Sequence, residues 1–81
     1  MRLPRDLSGE ALCRALARLG YTETRTTGSH RRLTATEHGE HHITVPLHRA
    51  LRVGTLRGIL TDVARHRQLS VDEVATRLFE P

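Results

Sequence analysis

An α+β fold is what this sequence predicts, with helices packed on one face of a three-stranded antiparallel sheet in the order α-β-β-β-α-α. Three observations carry the expectation. Apolar residues recur at helical spacing near both ends of the chain, the threonine-rich middle reads as short strands separated by glycine turns, and 81 residues suffice for one core and two layers. The whole chain, residues 1–81, is therefore read as a single domain.

The first helix opens at Leu7-Ser8-Gly9-Glu10. Ser8 is placed to cap, Glu10 favours the positive end of the helix dipole, and Leu7 can staple onto Leu12. Leu12, Ala15, Leu16 and Leu19 then form one face, with Arg14 and Arg18 outward, and Gly20 supplies the terminating residue. Tyr21 to Thr27 fits a strand, Thr27-Gly28-Ser29 a turn, and Arg31 to Thr36 a second strand folded back on the first. Glu37-His38-Gly39-Glu40 makes another turn, and His42 to Val45 a third strand stopped by Pro46. Alternation sends Leu33, Ile43 and Val45 inward and leaves His30, Arg32, Thr34, His42 and Thr44 on the opposite, wet face. From Gly54 the period is helical again, with Leu56, Ile59, Leu60, Val63 and Ala64 on one side and Thr55 as the expected cap. Ser70-Val71-Asp72-Glu73 is a capping box, with Leu69 and Val74 as its staple, and opens a last helix through Leu78.

Composition narrows the function. Hydrophobic residues make up 37% of the chain with one Tyr and one Phe, so the core is aliphatic. Two isolated rings, Tyr21 and Phe79, cannot form the row of aromatics on which single-strand RNA sheets stack bases. The formal net charge of +4 points to an acidic partner, nucleic acid or protein. Arg49, Arg52, Arg57, Arg65 and Arg67 face a single acid, Asp62, over the segment from His48 to Arg67, whereas Asp72, Glu73 and Glu80 outweigh Arg77 after Ser70. Cys13 stands alone within an apolar stripe, which leaves no intramolecular disulfide or thiolate zinc site and suits a small buried side chain. Neither a secretory signal nor a membrane span is read, so the cytoplasm is the expected compartment.

The segments LPRDLSGEALCRALARLGY, RTTGSHRRL and ITVPLHRALRVGTLRGIL, in this order, resemble the HicA (YcfA-like) toxins of bacterial toxin–antitoxin pairs, small ribonucleases that cut messenger RNA. The resemblance spans Leu3 to about Leu78. It implies a fold similar to the double-stranded-RNA-binding domain and a catalytic role for His30, the histidine of the GSH motif. Gly28 matches the motif's glycine, Arg25 a basic position three residues before it, and Gly54 to Leu56 the start of the family's second helix. A HicB-like antitoxin is the implied partner and messenger RNA the implied substrate; the free chain is expected to be a monomer that forms a hetero-oligomer with the antitoxin. The histidine-rich EHGEHH hairpin and the absence of lysine depart from the family pattern.

The chemistry can be argued from the residues alone. RNA cleavage requires no metal when the 2′-hydroxyl attacks its own phosphate; a proton acceptor, a proton donor and positive charge are enough. Histidine titrates in the right range and arginine forks fit phosphate. His30 is thus read as a general base or acid, with Arg32 or Arg31 as the phosphate holder and Arg25 as a further candidate, Gly28 and Ser29 as the supporting turn, and Arg49 and Arg57 as further RNA contacts beside the second helix. No cofactor and no metal ligand set is read: the EHGEHH spacing suits a solvated hairpin, because strand alternation separates His41 from His42. His66 is explained by the helix dipole at a C-terminal turn. Competing readings are a non-catalytic RNA-binding module that uses the same arginines, a helix-turn-helix between Leu56 and Leu78, and an interaction-only protein. Acidic Asp72 and Glu73 at the leading end of what would be its recognition helix oppose the second of these.

Overall fold

The computed structural model describes residues 3–81. Helix α1 (Gly9–Leu16) runs into a 3-10 turn (Ala17–Leu19); strands β1 (Thr22–Thr27), β2 (His30–Ala35) and β3 (His41–Pro46) follow, then helices α2 (Val53–Arg67) and α3 (Val71–Phe79). The sheet is an antiparallel meander in the order β1-β2-β3. The fold class is the expected α+β, with the helices on one face and the other face uncovered.

Local chemistry explains most boundaries. The Ser8 hydroxyl accepts from the Ala11 amide to start α1, and left-handed Gly20 closes the 3-10 turn. The β1–β2 turn is the two residues Gly28 and Ser29, with Gly28 at φ +56°, the first central position of a type II′ hairpin turn. The Ser70 box opens α3 with both reciprocal hydrogen bonds formed. Thr55, by contrast, does not cap α2: the helix begins two residues earlier at Val53, with Arg52 in extended conformation as its N-cap and no side-chain cap. At its other end Gln68 takes the left-handed conformation, φ +57°, and its amide bonds back to Ala64.

The core lies between the sheet and the helices. Leu12 and Leu16 from α1, Leu33, Ile43 and Val45 from the sheet, Leu60 and Val63 from α2, and Val74 and Leu78 from α3 are all buried. Burying one such side chain contributes about 1.5–3 kcal/mol, so this aliphatic set dominates the stabilising side of folding. Gly9 is also buried, because α1 starts directly against the end of β3. Its amide donates to the His48 carbonyl at 2.9 Å, and any Cβ there would collide with the Pro46 carbonyl oxygen.

β1 extends beyond this cover. All six of its residues are exposed, whereas β2 and β3 bury alternate positions. At the C-terminus, Arg18 donates to the Glu80 carbonyl at 2.7 Å and, more weakly, to that of Arg77 at 3.4 Å, holding the end of α3 against the 3-10 turn.

Candidate active site

The uncovered face of the sheet is built by alternation and by one irregularity. On β2, His30 and Arg32 are exposed and Thr34 half-buried, while Leu33 and Ala35 point into the core. β3 contributes His42 and Thr44, paired with Thr34 and Arg32 respectively. On β1 the register shifts between Glu23 and Arg25: Glu23 pairs with inward-facing Leu33, yet Arg25 pairs with outward-facing Arg32. In a regular strand Arg25, two residues after Glu23, would share its face. The bulge at Thr24 turns Arg25 over and sets it beside Arg32.

His30 occupies the first position of β2, directly after the Gly28-Ser29 turn, paired with Thr27 on one side and Pro46 on the other. Two strands thus clamp its backbone while its side chain is left to solvent. Ser29 helps fix this corner through its backbone, its carbonyl accepting from the Leu47 amide at 2.6 Å. That hydrogen bond also brings the loop carrying Arg49 to the His30 end of the sheet. Arg57 lies on the exposed side of α2, away from the sheet.

Arg31 parts company with its neighbour. It shares the inward side of β2 with Leu33, lies 3.2 Å from a Glu23 carboxylate oxygen through Nε and 3.4 Å from a Glu10 oxygen through its terminal nitrogen, and is mostly covered. The alternation that exposes His30 and Arg32 forces Arg31 to the other side, where two carboxylates neutralise it. Of the three arginines expected to hold phosphate, Arg25 and Arg32 thus lie on the His30 face and Arg31 on the covered side. Nearby Cys13 is buried, and burial pushes its thiol up despite the Arg31 guanidinium, which works in the opposite direction; the thiol stays protonated and unreactive at neutral pH.

Beyond Arg32 the open face forms a shallow cleft lined by Thr24, Arg25, Arg32, Thr34, Glu40 and His42. The Thr34 hydroxyl meets Nδ1 of His42 at 2.7 Å, and Nε2 of His42 meets a Glu40 oxygen at 2.9 Å. Another groove, between Leu3-Pro4 and α3, is lined by Ala75, Phe79, Asp72 and Glu80 and holds neither a base nor a phosphate-binding cation.

His41 lies on the covered side. Its Nδ1 meets the Tyr21 hydroxyl at 2.6 Å and its Nε2 an Asp62 oxygen at 3.1 Å. His66 stacks on it with ring centres 4.3 Å apart and donates to the Gly39 carbonyl at 3.2 Å. His66 thus does more than answer the helix dipole: with Asp62 it ties α2 to the β2–β3 hairpin. No sequence signal joined these four residues, which come from three separate segments. Among the described residues no group of three or more His, Cys, Asp or Glu side chains is arranged to hold a metal ion.

Compared with protein families, residues 9–64 match the model of the HicA toxin of bacterial toxin–antitoxin systems. The chain belongs to the HicA toxin family. The match runs from α1 through most of α2 and includes the GSH turn and the whole open face. No curated protein and no solved structure matches it. As a HicA toxin, it is the toxin member of a toxin–antitoxin system, and its family implies an antitoxin partner. No described helix is long and apolar enough to cross a membrane.

Proposed function

We propose that this HicA toxin is a metal-independent endoribonuclease that cuts messenger RNA, with His30 as its general acid/base. The observation that carries the reading is that His30 shares the uncovered sheet face with Arg32 and, through the β1 bulge, with Arg25. A phosphodiester laid on this face meets a titratable imidazole and two guanidinium forks, with no helix in the way. His30 accepts the 2′-hydroxyl proton as the 2′-oxygen attacks phosphorus, and the P–O5′ bond breaks with the 5′-oxygen protonated by solvent. The products are a 2′,3′-cyclic phosphate and a 5′-hydroxyl. Arg25 and Arg32 offset the charge gathering on the non-bridging oxygens. Gly28 and Ser29 hold the corner from which His30 projects, and Arg49 extends the positive field at that end. Arg57 on α2 belongs to a second basic surface that can add affinity without touching the scissile phosphate.

The antitoxin partner is HicB-like in this reading and silences the toxin by covering His30 and presenting carboxylates to Arg25 and Arg32, in direct competition with RNA. The compartment is the cytoplasm, where message and partner are both made.

The test is cleavage of a long single-stranded RNA by the purified chain and by His30→Ala, in EDTA, after circular dichroism has established that both are folded. Cutting by the wild type with cyclic-phosphate ends, and a loss of about 10²-fold or more in the variant, is the expected result. Equal cutting by both would remove His30 from the chemistry. RNA bound but left intact by both would make the protein a non-catalytic binding module.

A further inference from the structure

Glu40, His42 and Thr34 form an ordered polar cluster that the cleavage chemistry does not use. His42 and His30 lie on the same face, but His42 pairs with Thr34, four residues along β2 from His30, a separation of about 13 Å at strand spacing. The two imidazoles cannot serve one phosphate. Yet His42 is held at both nitrogens, by Thr34 at 2.7 Å and by Glu40 at 2.9 Å, and Thr34 is itself in contact with the Thr24 hydroxyl at 3.2 Å. A side chain so restrained, exposed at the floor of a cleft whose near wall is Arg25 and Arg32, is set to receive something.

We infer that this cleft is a base-recognition subsite that selects guanine at one fixed position displaced from the scissile bond. The inference rests on the reading of the open face as an RNA site. Its chemistry follows from the donor and acceptor inventory. Glu40 is a carboxylate and only accepts; the His42 Nε2–H therefore donates to it, while Nδ1 is held against the Thr34 hydroxyl, which can both donate and accept. This arrangement uses one lone pair of one Glu40 oxygen and leaves that oxygen's second lone pair and the other oxygen as acceptors at a residue that lines the cleft. Guanine is the base whose Watson–Crick edge offers two adjacent donors, the ring N1–H and the exocyclic amine, which match a carboxylate. Adenine and cytosine offer an amine beside an acceptor nitrogen, which a carboxylate repels; uracil offers a single N–H between two carbonyls. The His42 ring adds a face for the base to stack on, and Arg25 and Arg32 hold the intervening backbone toward His30. One imidazole suffices for one base, so the scarcity of aromatic residues does not count against this subsite.

Two readouts test it separately from catalysis. In the first, cut sites on a randomised single-stranded RNA pool are sequenced for the wild type and for Glu40→Gln. Guanine should be enriched at one position relative to the cut, and Glu40→Gln should lower that enrichment by about tenfold. In the second, His30→Ala is titrated with short 2′-O-methyl oligonucleotides carrying guanine or inosine, which lacks the exocyclic amine, at each position in turn. One position should favour guanine by several-fold, and Glu40→Gln should abolish the preference. Because both substituted residues are exposed, loss of fold does not confuse either result. Cleavage with no positional guanine preference, or a preference that survives Glu40→Gln in both assays, overturns the subsite. Guanine-selective binding without cleavage would keep the subsite and overturn the nuclease reading instead.

Discussion

His41 and His42 are adjacent in the chain and lead opposite lives. His41 is packed under the helices between Tyr21, Asp62 and His66, where every polar contact is to the protein's own atoms. His42 is on the open face, held by Thr34 and Glu40 but otherwise turned to solvent. The same division separates Arg31, neutralised by Glu10 and Glu23, from Arg32, which is exposed beside Arg25. A histidine pair and an arginine pair are each split by the two-residue period of a strand. Chemistry at such a sheet is therefore assigned by parity as much as by residue type.

The sharpest way to break this comparison is at the two faces' histidines. His30→Ala should lower RNA cleavage by about 10²-fold or more with no change in melting temperature. Tyr21→Phe should do the reverse, leaving His41 Nδ1 without its donor in a mostly covered site. A cost of about 1–3 kcal/mol is expected, read as a lower thermal midpoint, while His42→Ala leaves the midpoint in place. If Tyr21→Phe melts like the wild type, the covered cluster is not a fastening.

A finer contrast lies in the arginines. The logarithm of RNA affinity against the logarithm of salt concentration should lose about 0.7 of slope on Arg32→Ala or Arg25→Ala, one phosphate each, and none on Arg31→Ala. Equal slopes for Arg31→Ala and Arg32→Ala would mean that RNA reaches the covered side.

The smallest effect is one of pH. Burial, and then the Asp62 carboxylate, push the Tyr21 phenol up, with Arg67 working against them. The folded state therefore keeps its proton longer than the unfolded chain does. This contribution is complete below the ordinary tyrosine range and disappears as pH rises through the shifted value. Titration of tyrosinate absorbance should give a midpoint above that of the urea-unfolded chain, and the extra alkaline sensitivity should vanish in Tyr21→Phe.

Much of the architecture could be read from the residues. Leu33, Ile43 and Val45 fall inward as alternation requires, Ser8 and the Ser70 box start their helices, and His41 and His42 separate as predicted. The covered position of Arg31 follows from the same rule, since it shares parity with Leu33. Three features had no local signal. The bulge at Thr24 depends on how β1 pairs with β2, and nothing in TETRTT marks the extra residue. Helix α2 starts at exposed Val53 without a side-chain cap because tertiary packing of Leu56, Ile59 and Leu60 determines where it forms. The Tyr21–His41–Asp62–His66 cluster joins residues up to 45 positions apart in the sequence, so only the folded chain assembles it.

The setting of Tyr21 gives the molecule a built-in optical signal. The chain has no tryptophan and only this one tyrosine, so any tyrosine emission comes from a single phenol. In the native state that phenol is hydrogen-bonded to an imidazole, an arrangement expected to quench it by excited-state proton transfer. Unfolding, or any partner that parts Tyr21 from His41, should free the hydroxyl and brighten it. Docking of RNA on the far side of the sheet leaves it dark, so the two kinds of event can be told apart in one cuvette without a label.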